Sequence, residues 1–400
     1  MTALGIPSFR LFWLSGIGQY FSQGMQQFAL LWIVLETTGS LTQLSVVVLL
    51  QGLPMLSLIL VGGVMADRLN RRRVLLATQS GPMAVAVALA VLLTAGWLAM
   101  WHIYLGALTL GSFQAFNQPA RRAMTRDLVP HAAMMSAVTL ESLLMTSTRV
   151  IGPAMSGAII GALGLAASLY AIAGFYLVGV LFLWATPYMA VVRRPFERRP
   201  SVVGDLLGGV RYAAREPALR SIILLAFGVG FFGMAYLQLN AAVAREVWNL
   251  PADAAGRFVT AAGVGALLGS VALVALSHSR RKNWLLIVVG MGFPVALGAY
   301  ALSPWLWLAV VSLGLLGLTS TATTSMINTL IQYTAPGEYL GRMFSLTQIG
   351  ASLMYVDAAP IGALGEAIGL RWSMAAALLF LVHGAVILLY QPHLRRLRAD

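Results

Sequence analysis

Long apolar runs separated by short polar segments fill this chain from end to end. A helix that crosses a bilayer needs about 20 mostly apolar residues, within a range of roughly 17–25 and more when it is tilted. The runs therefore predict an all-α polytopic membrane protein with twelve transmembrane helices. We place these helices at 9–35, 42–66, 74–95, 98–120, 135–163, 166–190, 219–244, 254–276, 284–302, 305–333, 343–368 and 371–391.

The longest polar segment, residues 191–218, divides the predicted helices into two sets of six. We therefore predict two pseudo-symmetric six-helix bundles, over 1–190 and 219–400, joined by a cytoplasmic linker. The linker begins with prolines and arginines and then becomes amphipathic, which predicts a short helix on the membrane surface. Its apolar face would carry Val203, Leu206, Leu207 and Val210. We interpret it as a tether whose basic side lies on anionic lipid; a regulatory site is the alternative.

The composition agrees with a bilayer environment. Only 10% of the residues are charged and 59% are hydrophobic, with a mean hydropathy of +0.82, whereas a soluble domain carries about 25% charged residues. The chain has no cysteine, which excludes disulfides and thiolate metal sites. We predict no metal and no cofactor.

The net charge of +13 follows the predicted loops. Most arginines fall in loops on one side of the membrane, and on the other side we place only Arg245, Arg257 and Arg371. Loops rich in Lys and Arg stay in the cytoplasm, so we predict that both termini are cytoplasmic. The positive charge is a topology signal, and we expect no binding of nucleic acid.

Polar stripes on the first, fourth, seventh and tenth predicted helices are the candidate lining of a substrate cavity. Polar side chains in a bilayer must face a partner or water, although each stripe alone also fits packing between helices. Met and Phe beside a few amides suit an apolar or amphipathic small molecule. The stripes consist of Gln19, Gln23, Gln26, Gln114, Asn117, Phe231, Met234, Gln238, Thr321, Ser325 and Asn328.

Three ionisable residues in the predicted spans are candidates for proton coupling. Asp357 lies near the middle of the eleventh helix and Glu141 near the inner end of the fifth. Arg149 lies near the middle of the fifth helix, where an arginine costs roughly 2.5–3.5 kcal/mol. An intramembrane carboxylate is a functional candidate by default; the alternative is a structural residue paired with a cation or with water.

Several motifs occur together in the order typical of one transporter family. The loop "GGVMADRLNRRRVL" at 62–75 is followed by "FNQPARRAMTRDLVP", "RVIGPAMSG", "DLLGGVRYAAREPALR" and "PGEYLGRMFSL". This set resembles the major facilitator superfamily, and within it the bacterial exporters of drugs and siderophores. No Walker loop, zinc-helix motif or nucleophile elbow is present, so we predict that the protein is not an enzyme.

The resemblance implies two bundles that rock about a central site, with export driven by proton antiport. It also implies a conformational gate, formed by the loop signature, an acid after the fourth helix and the glycine-proline motif of the fifth. We expect Arg68 or Arg71 to pair with Asp127. The gate set is Gly63, Asp67, Arg68, Arg71, Arg72, Asp127, Gly152, Pro153 and Gly157.

The sequence departs from the family pattern at points that concern coupling. Asn70 replaces the usual glycine of the loop signature, the fourth helix lacks a membrane arginine, and the first helix lacks an interior acid. Coupling would therefore depend on Asp357, Glu141 and Arg149.

We predict a monomeric secondary exporter of amphipathic organic small molecules, coupled to protons, in the bacterial inner membrane. One alternative is a lipid or lysolipid transporter, or an uncoupled facilitator, of the same fold. A different class of alternative is a membrane receptor or scaffold that transports nothing.

Overall fold

A computed structural model describes residues 2–68, 70–187, 202–276 and 282–375 of the protein. Every regular element in these ranges is a helix, which confirms the all-α prediction. Residues 188–201, which include the first eleven residues of the predicted linker, lie outside the described residues. So does most of the last predicted span, from residue 376 onward.

Six long helices make up the first half of the chain. Their bounds are α1 Pro7–Thr38, α2 Leu41–Arg68, α3 Arg71–Thr94, α4 Met100–Leu128, α5 Met134–Leu163 and α6 Leu165–Ala185, with short 3-10 turns at Thr2–Gly5 and His131–Ala133.

The second half contains shorter and interrupted helices. Its elements are α7 Val202–Arg215, α8 Pro217–Gly228, a π-helical turn Val229–Gly233, α9 Ala235–Ala242, a second π-helical turn Val243–Val247, α10 Ala252–Leu276, α11 Lys282–Ala301, α12 Leu306–Thr334, α13 Gly337–Ser352, α14 Met354–Ile368 and α15 Leu370–Ala375.

Local sequence signals explain several helix ends. Pro7 occupies the first turn of α1, and Gly39 ends this helix at φ 63°, with its N–H bonded to the Leu35 carbonyl, as expected for glycine in a left-handed cap. Asn70 has φ −64° and caps α3, since its side chain accepts from the N–H groups of Arg72 and Arg73. The departure from the loop signature at Asn70 is therefore a helix N-cap.

Seven helical segments among the described residues are long and apolar enough to cross a membrane. They are Leu41–Leu58, Arg71–Thr94, His131–Leu163, Leu165–Ala185, Pro217–Val247, Ala252–Leu273 and Leu306–Thr334. The helices α1 and α4 are of similar length, at 32 and 29 residues, but they carry the polar side chains described below.

Two compact units divide the chain: Met1–Pro195 with Ala244–Thr260, and Phe196–Val243 with Ala261–Asp400. In the first unit α1 packs on α5 and α6, and α4 packs on α2 and α3. The helices α1 and α5 meet at glycines, because a Cβ built on Gly152 would lie 2.8 Å from the Cα of Gly24. Such close backbone approach is how small residues pack membrane helices.

In the second unit α11 packs on α12, and α13 contacts both α7 and α8. The eleventh span was predicted as one helix over 343–368, but α13 begins at Gly337 and is separated from α14 by a turn at Leu353. The seventh span contains two π-helical turns, which interrupt the regular hydrogen-bond pattern and are common at functional sites. Neither interruption was predicted from the sequence.

Candidate functional site

A buried polar network joins four helices of the first unit, and Gln19 on α1 lies at its centre. The Gln19 side-chain nitrogen donates to Oδ1 of Asn117, and its Oε1 accepts from Nε2 of Gln79 at 3.0 Å. The Asn117 nitrogen donates to Oγ1 of Thr78 at 2.8 Å. Gln19 and Gln79 are fully shielded from solvent, so these amides bond one another inside the helix bundle instead of bonding water.

A fully paired arginine completes this network. Arg121 on α4 is 2% exposed, and its Nε and Nη2 donate to the two carboxylate oxygens of Glu141 at 2.8 and 3.0 Å. Its Nη1 donates to Oε1 of Gln19 at 3.0 Å. The guanidinium carbon also lies 4.4 Å from the ring centroid of Phe12 and 5.1 Å from that of Tyr20. A buried charge persists only when it is paired and hydrogen-bonded in this way.

Arg121 corrects the sequence interpretation of the fourth helix. That interpretation ended the helix at residue 120 and assigned Arg121 to a cytoplasmic loop, whereas α4 continues to Leu128 and buries the side chain. The signal was its position four residues after Asn117, which puts both on one helix face. Tyr20 and Gln79 were also missed, and Tyr20 donates its hydroxyl to Glu141 Oε2 at 3.5 Å.

The other polar residues predicted to be functional in the first unit differ in burial and lie outside this network. Gln26 is buried and accepts from the hydroxyl of Tyr176 at 2.9 Å. Gln23 and Gln114 are half-buried and lie outside the network centred on Gln19. Arg149, which was predicted to lie in mid-span, has an exposed side chain.

An ion pair joins the N-terminal end of α3 to the C-terminal end of α4. Arg71 pairs with Asp127, with side chains 7% and 3% exposed, and its Nη1 also donates to the Ala123 carbonyl at 3.3 Å. This is one of the two pairings expected of the loop signature. Arg72 donates to the Trp184 carbonyl on α6. Backbone positions are described for the gate residues Gly63, Asp67 and Arg68, but their side chains lie outside what the structure describes.

The glycine-proline motif of α5 lies at helix contacts. Gly152 and Pro153 are buried. A Cβ on Gly157 would lie 3.0 Å from the Cα of Gly256 at the start of α10, within the same unit. These positions therefore allow close packing between helices.

In the second unit Asp357 stands in the first turn of α14, directly after the turn at Leu353. Its side chain is 2% exposed. Within the described part of the chain, neither carboxylate oxygen has a hydrogen-bond partner. Burying a carboxylate in this state carries a large desolvation cost, and such a group in a native structure calls for an explanation.

The remaining predicted cavity residues lie on α12 and along the segment that runs from the first π-helical turn through Met234 into α9. Gln238 is buried, whereas the other five are half-buried: Phe231, Met234, Thr321, Ser325 and Asn328. Buried polar pairs that the sequence interpretation missed join α9 to α11 and to α12. Tyr300 donates to Oδ1 of Asn240 at 2.9 Å, and Tyr236 donates to the Ser320 hydroxyl at 3.4 Å.

Over its whole length, residues 1–400, the chain matches a protein family described as transmembrane secretion effector. The chain belongs to this family of the major facilitator superfamily. The resemblance inferred from the loop signature and the ordered motifs is thereby confirmed, and the protein is a membrane transport protein of the exporter type.

Relatives of known name agree with this membership. The chain is 28% identical over 396 residues to the enterobactin exporter EntS of Shigella flexneri, covering 98% of this chain and 93% of that protein. It is 29% identical to the Escherichia coli enterobactin exporter EntS, covering 94% of that protein.

Solved structures of transporters share the fold. A bacterial homologue of the human lysosomal transporter Spinster, inward-facing and unoccupied, matches with a TM-score of 0.75 at 16% identity, covering 97% of this chain and 96% of that one. The nucleoside transporter NupG matches with a TM-score of 0.77 at 12% identity, covering 97% and 99%. At these identities the likeness concerns the fold alone.

Proposed function

We propose that this family member is a secondary exporter of amphipathic organic small molecules, siderophore-like compounds in particular, in the bacterial inner membrane. The observation that carries the proposal is similarity to enterobactin exporters over nearly the full length of both chains. In this proposal twelve helices form two six-helix bundles, 1–190 and 219–400, joined by the linker 191–218. Both termini are cytoplasmic, and the working unit is a monomer.

Proton antiport is the proposed source of energy, and Asp357 is its central residue. A carboxylate that is 2% exposed and has no described hydrogen-bond partner is well suited to exchange a proton when the carrier changes conformation. The turn at Leu353 supports this role, because interrupted helices of transporters form sites for substrates and coupling ions.

Glu141 is the second proposed coupling residue, and Arg121 is its partner. A protonated Glu141 would lose the charge that holds both bonds from the Arg121 guanidinium, and the contacts between α4 and α5 would weaken. Through Gln19 the same change would reach α1. Arg149 stays in the proposed coupling set on the sequence prediction alone. Its side chain is exposed.

Substrate contacts are proposed at the half-buried predicted positions. In the first unit these are Gln23 and Gln114, whereas Gln19 and Asn117 serve the buried network. In the second unit they are Phe231, Met234, Thr321, Ser325 and Asn328. Amides and hydroxyls beside Met and Phe suit a ligand with polar groups on an aromatic or aliphatic body.

The inner-surface residues form the proposed gate. The pair of Arg71 and Asp127 is nearly completely buried, and breaking such a pair is strongly unfavourable. Opening of the gate therefore has to replace this pair by other contacts. The signature residues Gly63, Asp67, Arg68 and Arg72, with Gly152, Pro153 and Gly157 of α5, complete the proposed gate.

Counterflow with purified protein tests the proposed substrate class without assuming coupling. Proteoliposomes preloaded with unlabelled catecholate siderophore should take up a labelled sample faster than protein-free liposomes. Vesicles preloaded with lysophospholipid serve as the comparison, because a lysolipid transporter of this fold would show the opposite preference. Exchange of neither compound, nor of a panel of amphipathic drugs, would contradict the proposal and favour a receptor or scaffold.

A further inference from the structure

The linker helix α7 has one face docked on the protein. Gly208 and Gly209 lie against Arg342 of α13, since a Cβ on Gly209 would lie 3.0 Å from the Cβ of Arg342. The ring of Tyr212 stacks on that of Tyr339, with centroids 4.0 Å apart and planes 10° from parallel. This face of α7 is therefore occupied by α13.

The opposite face is exposed and apolar at its centre. Leu207 is 61% and Val210 is 47% exposed, and Ala214, one turn further on, is exposed as well. These positions follow the three- and four-residue spacing of a single helix face. Isolated exposed apolar side chains are common and need no explanation. An apolar stripe along the free face of a helix whose other face is already docked needs one.

Two arginines lie on one side of the exposed stripe. Arg211 and Arg215 are both exposed, and at 100° per residue Arg211 falls about 40° and Arg215 about 80° beyond Leu207 around the helix axis. An apolar centre with basic side chains beside it is the pattern of helices that lie in the headgroup region of a membrane.

The position of α7 in the chain agrees with this pattern. The segment Pro217–Val247, long and apolar enough to cross a membrane, begins two residues after the last residue of α7. The C-terminal end of α7 therefore lies where the chain enters the bilayer, so that its exposed face can reach lipid headgroups.

We propose that the exposed face of α7 is a binding surface for anionic phospholipid. Leu207, Val210 and Ala214 enter the boundary between headgroups and acyl chains, and Arg211 and Arg215 contact lipid phosphates. The arginines decide the occupant. Two copies of this face would bring like charges together, whereas an anionic leaflet complements them.

The absence of cysteine makes a direct test possible in the full-length protein. A single Leu207→Cys variant carries an environment-sensitive fluorophore and is reconstituted in vesicles of phosphatidylcholine, with or without 30% phosphatidylglycerol. Quenching by spin-labelled lipid should be at least twofold stronger with phosphatidylglycerol, and emission should shift to shorter wavelength. High salt should reduce this difference, because it screens the charge term.

Charge variants provide the matched control. On the labelled protein, Arg211→Gln with Arg215→Gln should abolish the phosphatidylglycerol dependence, whereas Arg257→Gln, an exposed arginine on α10, should leave it unchanged. A Val210→Cys label repeats the measurement if the first variant does not fold. Quenching independent of phosphatidylglycerol, or equally affected by Arg257→Gln, would overturn the proposal. An emission shift of the label that appears only at high protein-to-lipid ratio, or only in native membranes, would also overturn the proposal. It would indicate that a second copy or a protein partner covers this face.

Discussion

Replacing Glu141 by leucine would leave the Arg121 guanidinium buried without its counter-ion. Arg121 and Glu141 have side chains 2% and 14% exposed, joined by two hydrogen bonds of 2.8 and 3.0 Å. Removing one partner of such a pair destabilises a protein by about 3–5 kcal/mol, because the remaining charge stays desolvated. We expect Glu141→Leu to lower the free energy of unfolding of the first unit by that amount.

The double variant separates the charge effect from loss of packing. Replacing a buried ion pair by apolar residues of similar volume is often neutral, or stabilising by roughly 1–4 kcal/mol. Arg121→Met combined with Glu141→Leu should therefore recover most of the stability lost in either single variant. Some loss should remain, because the Arg121 bonds to Gln19 and to the Phe12 carbonyl are removed.

Thermal unfolding of the purified protein in one detergent is the assay. The exposed pair of Arg257 and Asp253, 71% and 43% exposed, is the matched control, since an exposed pair contributes about 0–1 kcal/mol. Asp253→Leu should therefore lower the melting temperature much less than Glu141→Leu. Equal losses for both variants, or no recovery in the double variant, would refute the assignment of a buried, tightly coupled pair.

Three further predictions follow from other residues. Gly152→Leu should prevent folding or expression, because the new side chain would collide with the Gly24 backbone. The conservative Gly152→Ala should lower the melting temperature less. Melting temperatures equal to that of the wild type for both variants would contradict the close contact. Asn70→Ala should cost about 0.5–2 kcal/mol by removing the N-cap of α3, measured as a lower melting temperature; an unchanged value would count against the cap. Arg71→Gln should increase the accessibility of a cysteine label at the C-terminal end of α4 to a water-soluble thiol reagent, because the bond to Asp127 is lost. Unchanged labelling would argue against a gate there.

The sequence was sufficient for features that depend on local hydrophobicity and charge. Apolar runs predicted the helices, and the loop at 62–75 with the motifs that follow it indicated the family. Asp357 stood out because a carboxylate inside an apolar helix is rare. Each of these signals is carried by neighbouring residues in the chain.

Contacts between distant helices could not be predicted in the same way. Gln19 and Asn117 were expected to face a cavity, but their side chains bond each other across 98 positions of the sequence. Arg121 was assigned to a loop because its charge follows an apolar run, although Glu141 on α5 compensates that charge. The π-helical turns and the break at Leu353 also have no local pattern in the sequence from which we predicted them.

Proton-driven uptake in proteoliposomes tests the central claim most directly. In vesicles whose lumen is more acidic than the outside, inside-out carriers should accumulate a labelled catecholate siderophore, and dissipating the pH gradient should stop the accumulation. Asp357→Asn should abolish the dependence on the gradient while retaining counterflow exchange. Unchanged gradient-driven accumulation by Asp357→Asn would contradict coupling through this carboxylate.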